Sequence, residues 1–543
     1  MRYHKKRVLK RMAAVLLCSS FLFTVIGCGR TRQIKLVPYE TSMEDNYRTY
    51  YEVFVYSFCD GNGDGIGDFQ GLTKKLDYIN DGNPKTDTDL GCNGIWLMPV
   101  MKSPSYHKYD VMDYYTIDPE YGTMEDFEQF MAACNERQVK VIMDLVLNHT
   151  SSQHPWFLQA CEYLKEIGDG VPSGEECKYV DYYHFSREKK EKYEPVPGSD
   201  VWYYEAVFDK GMPDLNLYNE DLRKEIEEIV QFWLDKGVGG FRLDAAKEYI
   251  TGNDEKNIEI LRWLNEMVKD KKEDAYLVAE VWTDINTYAK YYESGIDSIF
   301  DFAFANKDGI IASVVKGSKA ASSYGASLEN AQAMFQEYNT DYVDAPFYTN
   351  HDMARSAGFY SGENAQSQTK VAGALNLLMS GSAFVYYGEE LGMKGSGRDE
   401  NKRAPMYFSK DKNADGMCLG PENMETVKMK YDSLEEQQED EYSIYQYYKK
   451  AIRIRMSIPA ITKGKCVNLK EYSDDTLTAF TKYAEDENVW VFCNLSPEHR
   501  EVILNSNQKR ELLTTLTVDE QAVVYDRGTL ELPPYGIAIL KLY

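Results

Sequence analysis

The sequence lacks several features that would assign it to large classes of protein. No two cysteines have the Cys-x-x-Cys spacing of zinc and redox sites, and histidine is scarce, with 7 in 543 residues. Basic residues are in the minority, since 61 lysines and arginines face 87 acidic residues, for a net charge of -26. Because such a surface repels phosphates, it argues against a nucleic-acid partner, whereas an uncharged ligand is compatible with it.

A long apolar run is also missing, apart from one stretch near the N-terminus. Basic residues precede this stretch, which extends from Met12 to Ile26 and is followed by Gly27-Cys28. It is too short for a membrane-spanning helix and is typical of an export signal. The end of the stretch looks like a bacterial lipobox, in which the cysteine is acylated. We therefore predict a signal peptide (1–27), a tether (28–46) and a lipid anchor on Cys28 at the extracellular face of the cell membrane, with secretion as the alternative.

The cysteines beyond the tether are predicted to be mostly free. Several of them, such as Cys134 and Cys493, lie in apolar stretches, where buried thiols are expected. Cys161 and Cys177 lie within one polar segment, and they form the one pair for which we consider a disulfide, because export permits one.

The pattern along the chain predicts an α/β protein with three structural parts. From residue 51 to about 455, strand-like apolar runs alternate with amphipathic segments, which indicates a (β/α)8 barrel at 47–149 and 213–460. The polar, tyrosine-rich segment 150–212 is too long for an ordinary loop and is predicted to be a small inserted domain. Alternating strands from 461 to 543 predict a C-terminal antiparallel β-sandwich.

Four of the predicted strands end on chemically active residues. An isolated Arg-x-Asp pair such as Arg242 and Asp244 is more often a structural ion pair than a catalytic one. Here, however, further polar residues stand at three other strand ends, and a barrel enzyme carries its chemistry at the carboxyl ends of its strands. These further residues are Asp144, Asn148, His149, Glu280, His351 and Asp352.

With two more segments, these strand ends resemble the motifs of the α-amylase family of retaining glycoside hydrolases. The two segments are 106–110 (Tyr-His-Lys-Tyr-Asp) and 212–216 (Met-Pro-Asp-Leu-Asn), and all the motifs lie in the family's order and at about its spacing. The resemblance covers nearly the whole chain after the signal peptide. It implies a TIM barrel with an inserted domain B and a C-terminal domain, and it implies that the chain is an enzyme.

The resemblance also implies roles for individual residues. Asp244 would be the nucleophile, Glu280 the acid/base, and Asp352 the third carboxylate, which binds sugar hydroxyls. Asp144 would orient the site and Asp214 would support domain B. The residues implied to contact the substrate are Tyr109, His149, Arg242, Lys247 and His351. The chain departs from the family after the nucleophile, where the frequent Lys-His is Lys247-Glu248.

A Gly/Asp-rich loop at 60–68 spaces oxygen ligands as in the first half of an EF-hand. Position twelve is Gly71 instead of the bidentate glutamate, so the loop is not an EF-hand. It looks like the Ca²⁺ loop found after the first barrel strand in the family, which implies ligands from Asp60, Asn62, Asp64, Asp68 and the carbonyl of Ile66. Asn148 matches a ligand of a second family calcium, although Glu248 puts that second ion in doubt.

Two motif positions indicate which glycosidic bond the enzyme cleaves. The residue after the nucleophile is Ala245, and in this family a small residue there is more frequent in enzymes that cleave α-1,4 bonds. Met212, at the start of the segment 212–216, is typical of neopullulanase-like members. We therefore predict a monomer that hydrolyses internal α-1,4-glucosidic bonds in starch, maltodextrins and malto-oligosaccharides. Neopullulanase, α-glucosidase or oligo-1,6-glucosidase activity is the alternative, and a non-catalytic sugar-binding lipoprotein is a remote one. A transglycosylase would share every residue named here, and only its products would distinguish it.

Overall fold

The computed structural model describes residues 36–485, 487–505 and 508–543. The predicted signal peptide and lipid anchor at Cys28 lie outside the described residues. Seven parallel strands form the central sheet, in the spatial order β6-β5-β4-β3-β2-β1-β7. They are β1 (Thr49–Val53), β2 (Gly94–Leu97), β3 (Lys140–Leu145), β4 (Gly240–Leu243), β5 (Tyr276–Ala279), β6 (Ser298–Ile299) and β7 (Ala383–Tyr386).

The sheet closes into a barrel through the short segment 345–347, which lies between its two edges. Isolated parallel bridges join Phe300 to Ala345 and Phe347 to Phe384. This segment therefore occupies the position of an eighth strand, although it forms bridges and not a regular ladder. The predicted (β/α)8 barrel is confirmed.

The barrel interior is filled by aromatic side chains beneath a layer of polar ones. Tyr50 stacks on Tyr276 at 5.4 Å and on Phe384 at 4.9 Å between ring centroids. Because every second residue of a strand points to the same face, Glu52 and Arg242 lie on the interior face above this aromatic layer. The polar residues thus lie toward the carboxyl ends of the strands, where barrel enzymes carry their sites.

Helices surround the barrel and cover its outer face. The helix at Glu220–Asp235 is an example: the Asn219 side chain accepts the N–H of Leu222 at its start, and one face buries Ile226, Ile229 and Trp233 against the sheet. The helices are Phe69–Lys74, Leu76–Ile79, Met124–Glu136, Pro155–Ile167, Glu220–Asp235, Asp254–Lys271, Ile285–Tyr288, Ile310–Val315, Ser322–Tyr338, Ala365–Leu377, Asp399–Lys402, Leu434–Glu439, Ile444–Ser457 and Pro459–Lys463.

The chain between β3 and the helix that begins at Glu220 contains its own small elements. A three-stranded antiparallel sheet is formed by Phe185–Ser186, Tyr193–Pro195 and Tyr203–Glu205. The helix Pro155–Ile167 packs on it through Phe157, whose ring lies 4.8 Å from that of Tyr204. A two-stranded sheet of Met101–Lys102 and Asp113–Ile117 precedes this region. The bounds 150–212 of the inserted domain stay a prediction.

Two antiparallel sheets follow the barrel, in agreement with the predicted C-terminal domain. Leu477, Phe492, Leu530 and Leu540 are among the side chains of a common core between the two sheets. The five-stranded sheet consists of Lys465–Asn468, Leu477–Ala484, Glu487–Asn494, Arg510–Leu516 and Ile537–Leu542, and the three-stranded sheet of Arg500–Ile503, Val524–Asp526 and Thr529–Leu532.

The disulfide considered between Cys161 and Cys177 is wrong. Both cysteines are free, as are the other six in the described residues. Cys161 is buried on the inner face of its helix, and the thiol of Cys177 lies 3.9 Å from the carbonyl oxygen of Gln159 instead. Within the described ranges, none of the helices is long and apolar enough to cross a membrane.

Candidate active site

Asp244 and Glu280 follow directly on neighbouring strands, β4 and β5, and both are almost fully buried. The register that pairs Leu243 with Ala279 brings the two carboxyl groups side by side. Ala245, whose φ is 46°, takes the left-handed conformation at the end of β4, and its N–H donates to Glu280 Oε2 at 3.0 Å. The unfavourable backbone of Ala245 therefore serves to tie the ends of the two strands together.

Arg242 links the carboxyl groups at these strand ends. Its Nη1 lies 2.5 Å from Asp144 Oδ1 and 2.5 Å from Asp244 Oδ1, and its Nη2 lies 2.9 Å from Glu280 Oε2. Arg242 is only 1% exposed, so these contacts replace water as its source of hydrogen bonds. A planar guanidinium can contact several carboxyl groups in a fixed geometry, which a lysine cannot do.

The surroundings of Glu280 favour its protonated form. Burial raises the pKa of Glu280, the charge of Arg242 partly opposes this rise, and the carboxylates of Asp244 and Asp352 add to it. A carboxyl group that keeps its proton at higher pH suits a general acid. Burial likewise raises the pKa of Asp144 to about 7, although Arg242 opposes this.

Asp352 has the opposite electrostatic environment. His351 Nε2 lies 3.0 Å from its Oδ2, and Arg403 Nη2 lies 3.1 Å from its Oδ1. Burial by itself would raise the pKa of Asp352, but these two cationic groups bring it well below its ordinary value. Asp352 is therefore held as an anion at the same cavity in which the surroundings of Glu280 raise its pKa.

A cavity of about 520 Å³ lies over these residues and is lined by Asp244, Glu280 and Asp352. Tyr109 also lines it, and its ring stacks on His351 with 5.5 Å between centroids. His149 lines it as well, and its Nε2 is buried and has no hydrogen-bond partner among the described residues. Such an unpaired polar atom is costly to bury, so it is suited to a ligand hydroxyl group.

Lys247 also lines this cavity, but its ammonium group is engaged elsewhere. Its Nζ lies 3.0 Å from Asp254 Oδ1, at the start of the helix Asp254–Lys271. A substrate contact would have to compete with this ion pair. Of the residues predicted to contact substrate, Tyr109 and His149 reach the cavity directly, while His351 and Arg242 lie beneath it and hold Asp352, Asp244 and Glu280.

The predicted calcium loop at 60–68 is organised by hydrogen bonds of its own. Asp60 accepts the N–H groups of Gly63 and Gly65 at 2.6 and 2.7 Å, and Asp68 accepts that of Gly71 at 2.7 Å, which caps the helix Phe69–Lys74. The oxygen donors suit a hard cation such as Ca²⁺. Their arrangement fits less well, because no group of three or more His, Cys, Asp or Glu side chains in the described part of the chain is placed to hold a metal ion.

Asn148, the ligand predicted for a second calcium, lies beside Asp214. Its Nδ2 donates to Asp214 Oδ1 at 3.1 Å, and its Oδ1 is buried without a hydrogen-bond partner in the described ranges. Residues His149 and Asp214 also form an isolated antiparallel bridge, which joins the two chain segments that flank the insertion. Asn148 thus has one free oxygen donor at this junction.

Several residues of the site escaped the sequence analysis. Glu52, which contacts His351, carried a readable signal, because a glutamate inside the apolar strand β1 is unusual. Arg403 carried no such sequence signal, because it lies in a polar segment that is rich in charged residues. The half-exposed aromatic rings of Phe208 and Trp282, which both line the cavity, were also missed. One motif position, Met212, lines the cavity too.

Comparison with known proteins identifies the family. The family model described as alpha amylase, catalytic domain, matches residues 52–464. The chain belongs to the alpha-amylase family. It is 37% identical over 505 residues to Alpha-amylase 3 of Dictyoglomus thermophilum, a match that covers 91% of this chain and 93% of that protein. The predicted family and the prediction of a glycoside hydrolase are thereby confirmed.

Other relatives of the chain include enzymes with different names. The structure of Eubacterium rectale Amy13B matches with a TM-score of 0.90 and 48% identity, covering 93% of this chain and 97% of that one. A glucan 1,6-alpha-glucosidase of Streptococcus pneumoniae is 30% identical over 535 residues, covering 87% of this chain and 95% of that protein. Membership of the family is thus compatible with more than one bond specificity.

Replacement of Arg242 by methionine tests the importance of the buried cation. Without it, the pKa values of Asp144 and Glu280 rise further in the folded protein, which then binds more protons than the unfolded chain. Its stability therefore falls as pH rises. We expect Arg242→Met to lose about 3–5 kcal/mol of unfolding free energy relative to the parent at neutral pH, and less at pH 5. The difference in melting temperature between variant and parent, followed across this pH range, measures the effect.

Arg455→Met is the matched control for this prediction. Arg455 is equally buried, but its partners are the carbonyl oxygens of Leu377, Met379 and Gly381, which do not titrate. The buried groups Asp344 and Lys482 feel its charge but are not among its hydrogen-bond partners. Its deficit in melting temperature should therefore vary less between pH 5 and pH 8 than that of Arg242→Met. Equal pH dependence of the two variants would contradict the role assigned to Arg242.

Proposed function

We propose that this chain is a retaining, endo-acting α-amylase that hydrolyses α-1,4-glucosidic bonds in starch and maltodextrins. The observation that carries the proposal is the pair Asp244 and Glu280, held on the two arms of one guanidinium group in a cavity. Retaining hydrolysis requires two carboxyl groups about 5–5.5 Å apart, one to attack and one to transfer a proton.

The first step transfers the sugar to Asp244. Its carboxylate oxygen attacks the anomeric carbon while the bond to the leaving oxygen breaks, and Glu280 gives its proton to that oxygen. In the second step Glu280, now ionised, takes a proton from water, and the resulting hydroxide displaces Asp244 from the anomeric carbon. Two displacements at the same carbon restore its α configuration.

Asp352, Tyr109 and His149 hold the sugar during these steps. As a permanent anion, Asp352 accepts hydrogen bonds from sugar hydroxyl groups, which become stronger donors as positive charge develops in the ring. The ring of Tyr109 offers a flat apolar surface to one face of the sugar, and the unpaired Nε2 of His149 offers a hydrogen bond.

The α-1,4 preference is supported by Ala245 and Met212 and by the relative named Alpha-amylase 3. The alternative is activity as a neopullulanase, α-glucosidase or oligo-1,6-glucosidase. It is supported by relatives named glucan 1,6-alpha-glucosidase and oligo-1,6-glucosidase. A 4-alpha-glucanotransferase of Thermotoga maritima, 28% identical, represents transfer to sugar in place of water. All of these share the same glycosyl-enzyme intermediate, so the products distinguish them.

Product analysis with residues 29–543 tests this proposal on starch, maltoheptaose and pullulan. We expect mixed malto-oligosaccharides from starch, because an endo enzyme cuts at internal bonds. Glu280→Gln should lower kcat by about 10²–10⁴-fold, since it removes the proton donor. Glu390→Gln, at a buried carboxyl group bound by the hydroxyls of Tyr51 and Tyr78, is the matched control and should keep the activity.

Other product patterns would indicate a different activity. Glucose alone, or panose from pullulan, would favour the alternative specificities, and longer oligosaccharides than the maltoheptaose supplied would indicate transfer. Absence of activity in the folded parent chain would revive the non-catalytic, sugar-binding alternative.

We also propose that the loop at 60–68 binds Ca²⁺, with Asp60, Asn62, Asp64, Asp68 and the Ile66 carbonyl as ligands. The proposal is supported by the all-oxygen donor set and by the exposure of Asp64, which accepts the N–H of Ile66 through Oδ1 at 2.8 Å. When bound, the ion would supply positive charge that stabilises the loop. Asn148 would contribute its unpaired Oδ1 to a second ion at the junction of barrel and insertion.

The calcium proposal predicts a metal-dependent stability. Addition of Ca²⁺ to chain stripped by a chelator should raise the melting temperature by about 3 °C or more at saturating ion, because binding to the folded state stabilises it. Asp64→Asn should reduce this rise, whereas Asp169→Asn, an exposed aspartate in the insertion, should not. If the melting temperature is the same with and without Ca²⁺, the proposal that this loop binds Ca²⁺ is wrong.

The N-terminal sequence supports a further proposal about location. We infer that the chain is exported, acylated on Cys28 and held at the extracellular face of the bacterial membrane as a monomer. Membrane fractionation of cells that express the full chain tests this: Cys28→Ala should move the protein to the soluble fraction, because acylation needs the thiol. Cys18→Ala, within the signal peptide, should leave it in the membrane fraction. Recovery of the parent and of both variants outside the membrane fraction would favour secretion without an anchor.

A further inference from the structure

Glu52 is a buried glutamate that makes a single, short side-chain contact. It lies in the middle of β1, is 1% exposed, and has as neighbours Trp96 on β2 and Tyr386 on β7. Its Oε1 lies 2.6 Å from Nδ1 of His351. Placing a carboxyl group inside an apolar strand is costly, so its retention there calls for a function of this contact.

The other nitrogen of His351 faces a second carboxyl group. Nε2 lies 3.0 Å from Asp352 Oδ2 and 2.7 Å from the hydroxyl of Tyr109, which in turn donates to Asp144 Oδ2 at 3.3 Å. A carboxylate only accepts hydrogen bonds, so an imidazole between two of them has to carry a proton on each nitrogen. Such an imidazole is a cation.

We propose that Glu52 is a positioning residue that keeps His351 doubly protonated and so holds Asp352 ionised and fixed in orientation. Glu52 does this from the far side of the imidazole, without reaching the cavity, since it is absent from the cavity lining. Its effect on substrate is therefore indirect, through His351 and Asp352. In its consequence for hydrolysis this inference rests on the proposed function, whereas the protonation of His351 does not.

The remaining charged groups around the pair are compatible with a cationic His351. Arg242 on β4 and Asp144 on β3 lie in the same interior layer, and Arg403, from the segment after β7, binds the opposite oxygen of Asp352. Burial opposes a charge on His351, but Asp352 and Glu52 together raise its pKa to about 10. Burial also raises the pKa of Glu52, which the imidazolium opposes.

Exchange of Glu52 for glutamine tests the proposal with almost no change of volume. The amide oxygen still accepts the Nδ1 proton, but it no longer supplies the charge that keeps a proton on Nε2. The pKa of His351 should fall, so that at pH 8 Nε2 presents a lone pair to Asp352. The direct readout is the pair of downfield proton NMR signals from the imidazole N–H groups, identified by their absence in His351→Asn.

The expected result is that the parent keeps both signals up to pH 8, whereas Glu52→Gln loses one of them between pH 6 and pH 8. On starch, the alkaline limb of the kcat/KM profile of Glu52→Gln should move to lower pH by about one unit, with recovery of activity at lower pH. A purely structural role would lower activity at every pH and leave the limb in place. Glu390→Gln is the matched control, and both readouts should stay as in the parent.

Loss of one signal by the parent below pH 7 would overturn the proposal, as would parent-like titration of Glu52→Gln. Because the first of these measurements needs only the parent protein, the proposal can be overturned even if Glu52→Gln does not fold. A parent chain that shows both signals at pH 8 but hydrolyses no glucan would leave the role of Glu52 intact and contradict the proposed function.

Discussion

The rest of the site depends on the burial of one arginine among carboxyl groups at the carboxyl end of the barrel. Arg242 lies above an aromatic interior and contacts Asp144, Asp244 and Glu280, which come from three consecutive strands. Removing these charges from water is expensive, and it is offset only when the geometry of the contacts is good. The network therefore constrains β3, β4 and β5 to one relative position, and it holds the carboxyl groups of Asp244 and Glu280 beside each other.

The cavity above this network is built from segments that the barrel does not constrain in the same way. Phe208 and Met212 come from the insertion, whereas Asp399 and Arg403 come from the chain after β7. Loops carried by a rigid scaffold commonly determine which ligand is bound, while the scaffold holds the reacting groups. This division explains how relatives in one family can carry the names of enzymes with different bond specificities.

The sequence predicted the parts of this arrangement that are local. A short apolar run ending on Asp244 or Glu280 signals both a strand and the side chain at its end, and the barrel then brings such ends together. Contacts between distant segments could not be predicted from local sequence patterns. Glu52 and His351 are 299 residues apart, and Arg403 meets Asp352 only once the barrel has closed. The eighth strand position, at 345–347, is reduced to two bridges, and the disulfide considered within the insertion does not form because Cys161 faces the core.

Glu280 and Asp352 show how one cavity holds two carboxyl groups in different protonation states. Glu280 has one arm of Arg242, a cation that Asp144 and Asp244 also share, so burial prevails and favours the proton. Asp352 has His351 on one oxygen and Arg403 on the other, and these two cations outweigh the cost of its partial burial. The number of cations available to each carboxyl group therefore determines which one favours its proton and which one remains an anion. Because both arrangements are fixed by the folded chain, acid and anion coexist before any substrate binds.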